Sequence, residues 1–285
     1  MTETRVFEEF ERSMKERDLA SEIKNCSKQE LAPLFLELFR EHQPVLEGGC
    51  GSGKWMHFLK QNGISSVGLD WSQTLQAISR EFDPTVQFDT GDLRKLPYAD
   101  ESFGAVMALG SIEHVIEGPR EILREFHRVL RLGGVGLITV PYYSPLNRVT
   151  FGIFGEMTRR FKRINSIRRI ARKAPVERNN PISYGQLLKE RFRHDIYLEV
   201  DFDGFFYEYQ FKTEQLNEEL RNAGFTVKRV FPIWGDFGLF MKFGRLVGHY
   251  DRRADELRLT PLGGILSQLL PASAGGHMLC AIVYK

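Results

Sequence analysis

Apolar positions change their period several times along the chain, and those changes divide it. From Val6 to Ile23, and again from Leu31 to Phe39, they recur at three- and four-residue spacing, which predicts two amphipathic helices ahead of Pro44. Short β-rich apolar runs then alternate with helical patterns: a strand at 45–47 and a helix from Trp55, a strand at 66–69 and a helix from Thr74, strands at 86–89 and 103–109, a helix from Pro119, and a strand at 135–140. That alternation predicts an α/β domain whose doubly wound, mostly parallel sheet carries helices on both faces. After Pro141 the rhythm breaks for about sixty residues, longer than an ordinary connection. It resumes in "FKTEQLNEELRNAGFTVKRVFPI", where Thr213 is expected to cap a helix, Gly224 to stop it, and a strand to begin at Thr226. A second insertion, Gly235 to Gly276, precedes a last strand in "HMLCAIVYK". The expected organisation is an N-terminal helical segment, 1–43, and one domain, 44–285, with cap insertions at about 142–204 and 235–276.

Composition narrows the function classes. At 42% hydrophobic and 27% charged the chain has the make-up of a globular domain, and a formal net charge of +2 gives no global nucleic-acid footprint. Cys26, Cys50 and Cys280 form no CxxC pair and no histidine falls in an HExxH frame, so neither a disulfide framework nor a structural metal is expected. The charged start "MTETRVFEEFERSMKERDLASEIK" lacks the apolar core of a signal peptide, and no run approaches roughly 18 apolar residues, so the expected location is cytoplasmic.

The candidate chemistry begins in "VLEGGCGSGKWMHFL", a glycine-rich turn between a strand and a helix. Such a turn lets backbone N–H groups and a helix N-terminus approach a ligand that a Cβ would obstruct. A nucleotide P-loop fits Gly48 to Lys54 but fails at Trp55, where a magnesium-binding hydroxyl is required. A dinucleotide fingerprint places Lys54 or Met56 where its third glycine belongs. What remains is acid-x-G-x-G-x-G: Glu47, Gly49, Gly51 and Gly53.

With that pattern the sequence resembles the class I S-adenosylmethionine-dependent methyltransferases, and further motifs of the family follow in order. Asp70 closes the second strand in "SVGLDWS", "TGDLRKLPYADESFGAVMALGSIEHV" is similar to the third- and fourth-strand signature, and "EILREFHRVLRLGGVGLITVP" resembles the next helix, turn and strand, with Gly133–Gly134 as the helix stop. The resemblance is close from Pro44 to Pro141, looser from Phe205 to Val230, and in style nearest to the group that contains ubiquinone- and menaquinone-biosynthesis methyltransferases. It implies a seven-stranded Rossmann-like sheet and S-adenosyl-L-methionine as cofactor. It also implies site roles: Asp70 for the ribose hydroxyls, Trp71 against the adenine, Asp92 for the adenine amino group, Leu93 over the ring, and Leu109 and Gly110 beside the methionine part. The chemistry implied is in-line displacement at the sulfonium methyl, helped by alignment and exclusion of water.

His114, just beyond the fourth strand, is the candidate general base; a Glu-His pair there serves equally to secure the following helix by hydrogen bonding. Tyr142 and Tyr143, and Tyr207 or Tyr209 in "DFDGFFYEYQF", are candidates for the acceptor pocket or for packing. His42, His57 and His127 read as structural. The first insertion is rich in cations from Arg148 to Lys173, opposed by Glu156, with apolar residues at helical spacing; two helices or a kink are expected there. Such a stretch fits a peripheral membrane contact at 148–173, an acidic acceptor, or a lid with solvated charges. The expected function is methyl transfer to a small-molecule or lipid-like acceptor, with oxygen favoured. Two alternatives are a non-catalytic S-adenosylmethionine-binding subunit and a nucleic-acid methyltransferase using the basic insertion. The latter lacks the usual Pro-Pro motif where "ALGS" stands.

Overall fold

The computed structural model describes residues 10–115, 117–149, 197–200, 206–251 and 256–285. The first amphipathic pattern is two helices rather than one, since a turn at 16–18 separates α1 (residues 10–15) from α2 (Leu19–Cys26). Then follow α3 (Ala32–Glu41), β1 (Val45–Gly48), α4 (Lys54–Gln61), β2 (Ser66–Asp70), α5 (Gln73–Phe82), β3 (Gln87–Thr90), β4 (Phe103–Leu109), a 3₁₀ turn Ile112–His114, α6 (Arg120–Val129) and β5 (Leu130–Pro141). Within the first insertion lie α7 (Pro145–Val149), β6 (Tyr197–Val200) and β7 (Phe206–Gln210). The domain resumes with α8 (Thr213–Asn222) and β8 (Thr226–Ile233), and the second insertion folds as α9 (Gly235–Phe243), β9 (Gly248–Asp251), β10 (Glu256–Leu259), α10 (Pro261–Leu269) and α11 (Ala272–Gly275) before β11 (Met278–Tyr284).

The seven main strands lie in the order β3-β2-β1-β4-β5-β11-β8. Neighbours are parallel from β3 to β5, whereas β11 runs antiparallel to both β5 and β8. The strand order reverses between β1 and β4, and such a switch point opens a crevice beyond the carboxyl ends of the strands. Both faces of the sheet's middle are covered, so residues of β1, β2 and β4 are buried whichever way they point, whereas the edge strands β3 and β8 keep exposed residues. On β4, Val106 and Ala108 join α6 and α8 through Phe126, Leu216 and Leu220, while Ala105 and Met107 meet α3 and α4 through Phe35, Phe39 and Trp55. Trp55 is 4% exposed, with its ring edge-on to Phe35 at 4.7 Å and to Phe58 at 5.6 Å. Trp55→Ala should therefore destabilise the fold by about 3–5 kcal/mol in chemical denaturation, the range for a large buried aromatic.

Two expected helix ends are corrected. Helix α6 stops at Val129, four residues before the expected glycines, because Leu130 turns to an extended conformation and pairs with Phe103 on β4. Gly133, at φ +75°, serves an irregular stretch at the start of β5. Thr213 is the first residue of α8 and not its cap; Lys212 precedes the helix, and its N–H donates to Gln215 Oε1 at 2.9 Å. Gly224 does end that helix, at φ +102°.

Candidate functional site

From β1 the chain turns through Gly49 and Gly51, at φ +73° and +57°, before α4 begins at Lys54. Space as well as backbone angle demands glycine here: a Cβ at Gly49 would fall 2.4 Å from Ser111 Cβ, and one at Gly51 would fall 2.7 Å from Met14 Cε. The N–H groups of Gly49 and Cys50 both donate to the Leu69 carbonyl, tying the turn to the end of β2. Asp70, next in the chain and 3% exposed, completes the clamp: Oδ2 accepts from Gly51 N–H at 2.9 Å and Oδ1 from Ser72 N–H at 3.0 Å. Burial pushes this carboxyl up, while the Gly51 and Ser72 N–H groups pull it down.

The N-terminal segment covers the turn. Glu11 Oε2 accepts from Ser72 Oγ at 2.7 Å, Met14 sits against Gly51, and Arg17 donates to Glu22 Oε1 at 3.0 Å. Lys54 Nζ is 3.9 Å from that same oxygen. Between this segment, the turn and the second insertion lies a cavity of ≈ 750 Å³. Glu47, Gly49, Gly51, Lys54 and Leu109 line it with Phe10, Met14 and Arg17, and so do Trp234, Phe237, Tyr250, Leu257, Leu270 and His277.

The structure thus brings Glu47, Gly49, Gly51 and Leu109 of the expected set to the cavity, with Asp70 behind the turn. Gly53, at φ +80°, precedes α4. Leu93 borders the turn, 3.0 Å from the position a Cβ would take at Gly48. Trp71 is 39% exposed, and Asp92 is a surface carboxylate gripped by the Arg94 guanidinium at 2.8–3.1 Å, which holds it below the usual range. Gly110, at φ +70°, carries the chain from β4 into the 3₁₀ turn. His114 lies on that turn with Nε2 3.9 Å from Glu113 Oε1. Glu113 is 2% exposed, and burial together with Glu208 pushes its carboxyl well above the usual range.

Neither Tyr142 nor Tyr209 is in the cavity wall. Tyr142 donates its hydroxyl to Ser273 O at 3.2 Å, and Tyr209 is buried in the core, while β7 brings Glu208 next to Glu113 and His114. His57 is structural as expected, with Nε2 2.9 Å from Ser79 Oγ. Arg148 is the only cation of the expected stretch inside the described residues; the helices expected beyond it lie outside them. Met14, Arg17, Trp234, Phe237, Tyr250 and His277 were not singled out by the sequence pattern. His277 reaches the cavity because β11 runs antiparallel, putting its start beside the ends of β5 and β8; burial lowers its imidazole to about 4, leaving it neutral at pH 7.

Glu47 is the most informative group for a ligand. It is 3% exposed, its Oε2 has no hydrogen-bond partner, and burial pushes the carboxyl up to about 8, opposed by Lys54 and reinforced by Asp70. In an unfolded chain it titrates near 4.5. Between these values the folded protein binds a proton that the unfolded chain does not, so stability should fall as pH rises from about 4.5 towards 8. Glu47→Gln should flatten that slope, measured as the difference between the two proteins in denaturation midpoints from pH 5 to 8; parallel curves would contradict the assignment.

Comparison with known proteins agrees with this geometry. Residues 46–138 match the family model described as a methyltransferase domain. Demethylmenaquinone methyltransferase from Chlorobaculum parvum is 34% identical over 35% of this chain and 42% of its own length; that from Chlorobaculum tepidum is 29% identical over 69% of this chain and 72% of its own. Several of the curated relatives are matched over less than half of their own length. A solved S-adenosylmethionine-dependent methyltransferase from Mesorhizobium loti, 12% identical, superposes with a TM-score of 0.52 over 91% of this chain and 100% of its own. The strand order is that of the class I S-adenosylmethionine-dependent methyltransferase fold, and the domain match falls on its first five strands. Residues 46–138 carry a methyltransferase domain, and the cofactor that such a domain implies is S-adenosyl-L-methionine.

The residues present fit that cofactor. A buried, unpartnered carboxylate oxygen on Glu47 suits an ammonium group, the bare turn at Gly49 and Gly51 admits a ligand backbone, and Arg17 and Lys54 supply positive charge for a carboxylate.

Proposed function

We propose that this protein transfers the methyl group of S-adenosylmethionine to an oxygen of a small-molecule or lipid-like acceptor. The observation that carries this is one cavity lined both by the glycine turn and by the apolar side chains of Trp234, Phe237, Tyr250, Leu257 and Leu270. The turn side offers groups for a zwitterionic amino acid, and the aromatic and aliphatic side chains suit an apolar acceptor. When bound, the cofactor supplies an electrophilic methyl on a cationic sulfur. The protein's own part is to hold the methionine moiety between Glu47, Arg17 and Lys54, to brace the turn through Asp70, the carboxylate proposed for the ribose, and to keep water from the reacting end with α1 and the second insertion. Quinone-type acceptors are consistent with the demethylmenaquinone methyltransferases among its relatives.

Incubating the intact protein and methyl-labelled S-adenosylmethionine with a cell extract, followed by organic extraction, should place label in an apolar product. Label found only in protein or nucleic acid would overturn the proposed acceptor class.

Peripheral membrane contact by the basic stretch 148–173 belongs to the same reading. The exposed apolar residues Met241, Leu246, Leu262, Ile265 and Leu269 on the second insertion favour it. No helix among the described residues is long and apolar enough to cross a membrane. The intact protein should float with anionic vesicles, and changing Arg159, Arg160, Lys162 and Arg163 to Glu should abolish flotation; an intact protein that stays in the dense fraction would contradict membrane contact.

A further inference from the structure

The turn that follows β4 gathers a set of groups that methyl transfer does not itself require. Gly110 lets the chain bend sharply, and a Cβ there would lie only 3.3 Å from Glu113 Oε1, so Glu113 is tucked directly under the end of the strand. His114 follows on the same turn. The third member comes from the first insertion, where β7 packs against this turn and contributes Glu208. One ligand atom from each of Glu113, His114 and Glu208 lies within 4.8 Å of the others.

A second observation asks for a ligand. Glu113 is 2% exposed and its Oε2 has no hydrogen-bond partner, although it shares the cluster with another carboxylate. Holding a second carboxylate against a fully buried one is costly unless something positive joins them. The His114 imidazole, with Nε2 3.9 Å from Glu113 Oε1, is too far for a hydrogen bond to it but well placed to share a third body.

We propose that Glu113, His114 and Glu208 form a binding site for a divalent cation beside the end of β4. Metal–ligand bonds of about 2.0–2.3 Å put donor atoms roughly 3–4.5 Å apart around an ion, so the observed cluster needs only a slight contraction. Two carboxylates and one imidazole are a mostly hard donor set with one nitrogen, which suits Mn²⁺ and its neighbours better than a thiophilic ion. The sequence pattern hides the site because its third ligand lies about ninety residues from the other two, outside any contiguous metal motif.

Three protein ligands leave coordination positions open. Leu109, one residue before Gly110, lines the cavity, which puts the cluster beside the cavity's wall although its three ligands are not themselves in the lining. An acceptor with two neighbouring oxygens fits the open positions best, and a hydroxyl bound there would lose its proton to solvent more readily. This consequence for the acceptor rests on the methyl-transfer reading; cation binding itself does not. It also reassigns His114 from base to ligand, since an imidazole nitrogen bound to a cation cannot take a proton.

The test uses the intact protein, stripped with a chelator and dialysed, and titrated with Mn²⁺ alone. Calorimetry should show one saturable site, and the electron paramagnetic resonance signal of free Mn²⁺ should fall by one equivalent. His114→Ala and Glu208→Gln should each weaken binding at least tenfold while the circular dichroism spectrum is retained. Glu208 is only half-buried, so its variant keeps the test open even where Glu113→Gln fails to fold. An intact protein with no saturable Mn²⁺ binding, or folded variants that bind it as well as the parent, would overturn the site. S-adenosylmethionine binding measured on the same samples separates the two proposals: retained cofactor binding without Mn²⁺ binding removes the cation site alone, and loss of cofactor binding removes the methyl-transfer reading.

Discussion

Asp70→Ala is expected to weaken S-adenosylmethionine binding by about 3 kcal/mol, roughly a hundredfold in Kd, because charge-assisted hydrogen bonds to two ribose hydroxyls would go. The same change releases the turn, since the Gly51 and Ser72 N–H groups lose their shared acceptor. A stability loss of about 2 kcal/mol should accompany it, the penalty for buried donors left unpaired. Asp70→Asn retains one acceptor oxygen and much of the shape, so it should recover stability more than affinity. Calorimetry and urea denaturation on the parent and both variants read the two effects separately; undiminished affinity in Asp70→Ala would remove the ribose assignment.

The second large effect is expected at Gly49. In Gly49→Val, a β-branched side chain must adopt φ +73° and place its Cβ 2.4 Å from Ser111 Cβ. Left-handed strain costs about 1–2 kcal/mol per residue and overpacking about 1–3, so a total near 3 kcal/mol is expected, with the cavity wall displaced. Ser111→Gly in the same chain should return the clash portion but not the backbone portion, less what is lost with the Ser111 Oγ to Gly48 O hydrogen bond of 3.0 Å. Thermal denaturation of the four proteins in that cycle gives the partition. Equal stability of Gly49→Val and the parent would show that the turn is not held as described.

Much of this architecture is legible from apolar patterning because the middle of the sheet is buried on both sides. Continuous runs such as Phe103–Leu109 leave little choice of element, and the glycine turn follows from the same strand-to-helix order. Element ends are less legible, since they depend on partners remote in sequence: nothing near Val129 announces that Leu130 will pair with Phe103. Strand direction is equally hidden. His277 belongs to the cavity only because β11 runs against its neighbours, and an isolated apolar run carries no sign of its orientation.

The cofactor side was more readable than the acceptor side for a related reason. Glu47, Gly49, Gly51 and Asp70 sit on or beside consecutive strand ends, so their spacing along the chain reflects their spacing in the fold. Met14 and Arg17 come from a helix whose apolar pattern shows only that it docks, not where. In "DFDGFFYEYQF" the large aromatics draw the eye, yet Tyr209 goes to the core and the carboxylate of Glu208 meets Glu113 and His114. A strand alternates its faces, and which face meets the cavity is decided by the neighbour it packs against.

The most direct test of the cofactor assignment is calorimetric titration of the intact protein with S-adenosylmethionine and, separately, with ATP and magnesium. Saturable one-to-one binding of S-adenosylmethionine, with no heat from ATP, is expected from a turn that has Trp55 where a magnesium-binding hydroxyl would stand. Binding of ATP with none of S-adenosylmethionine would contradict it.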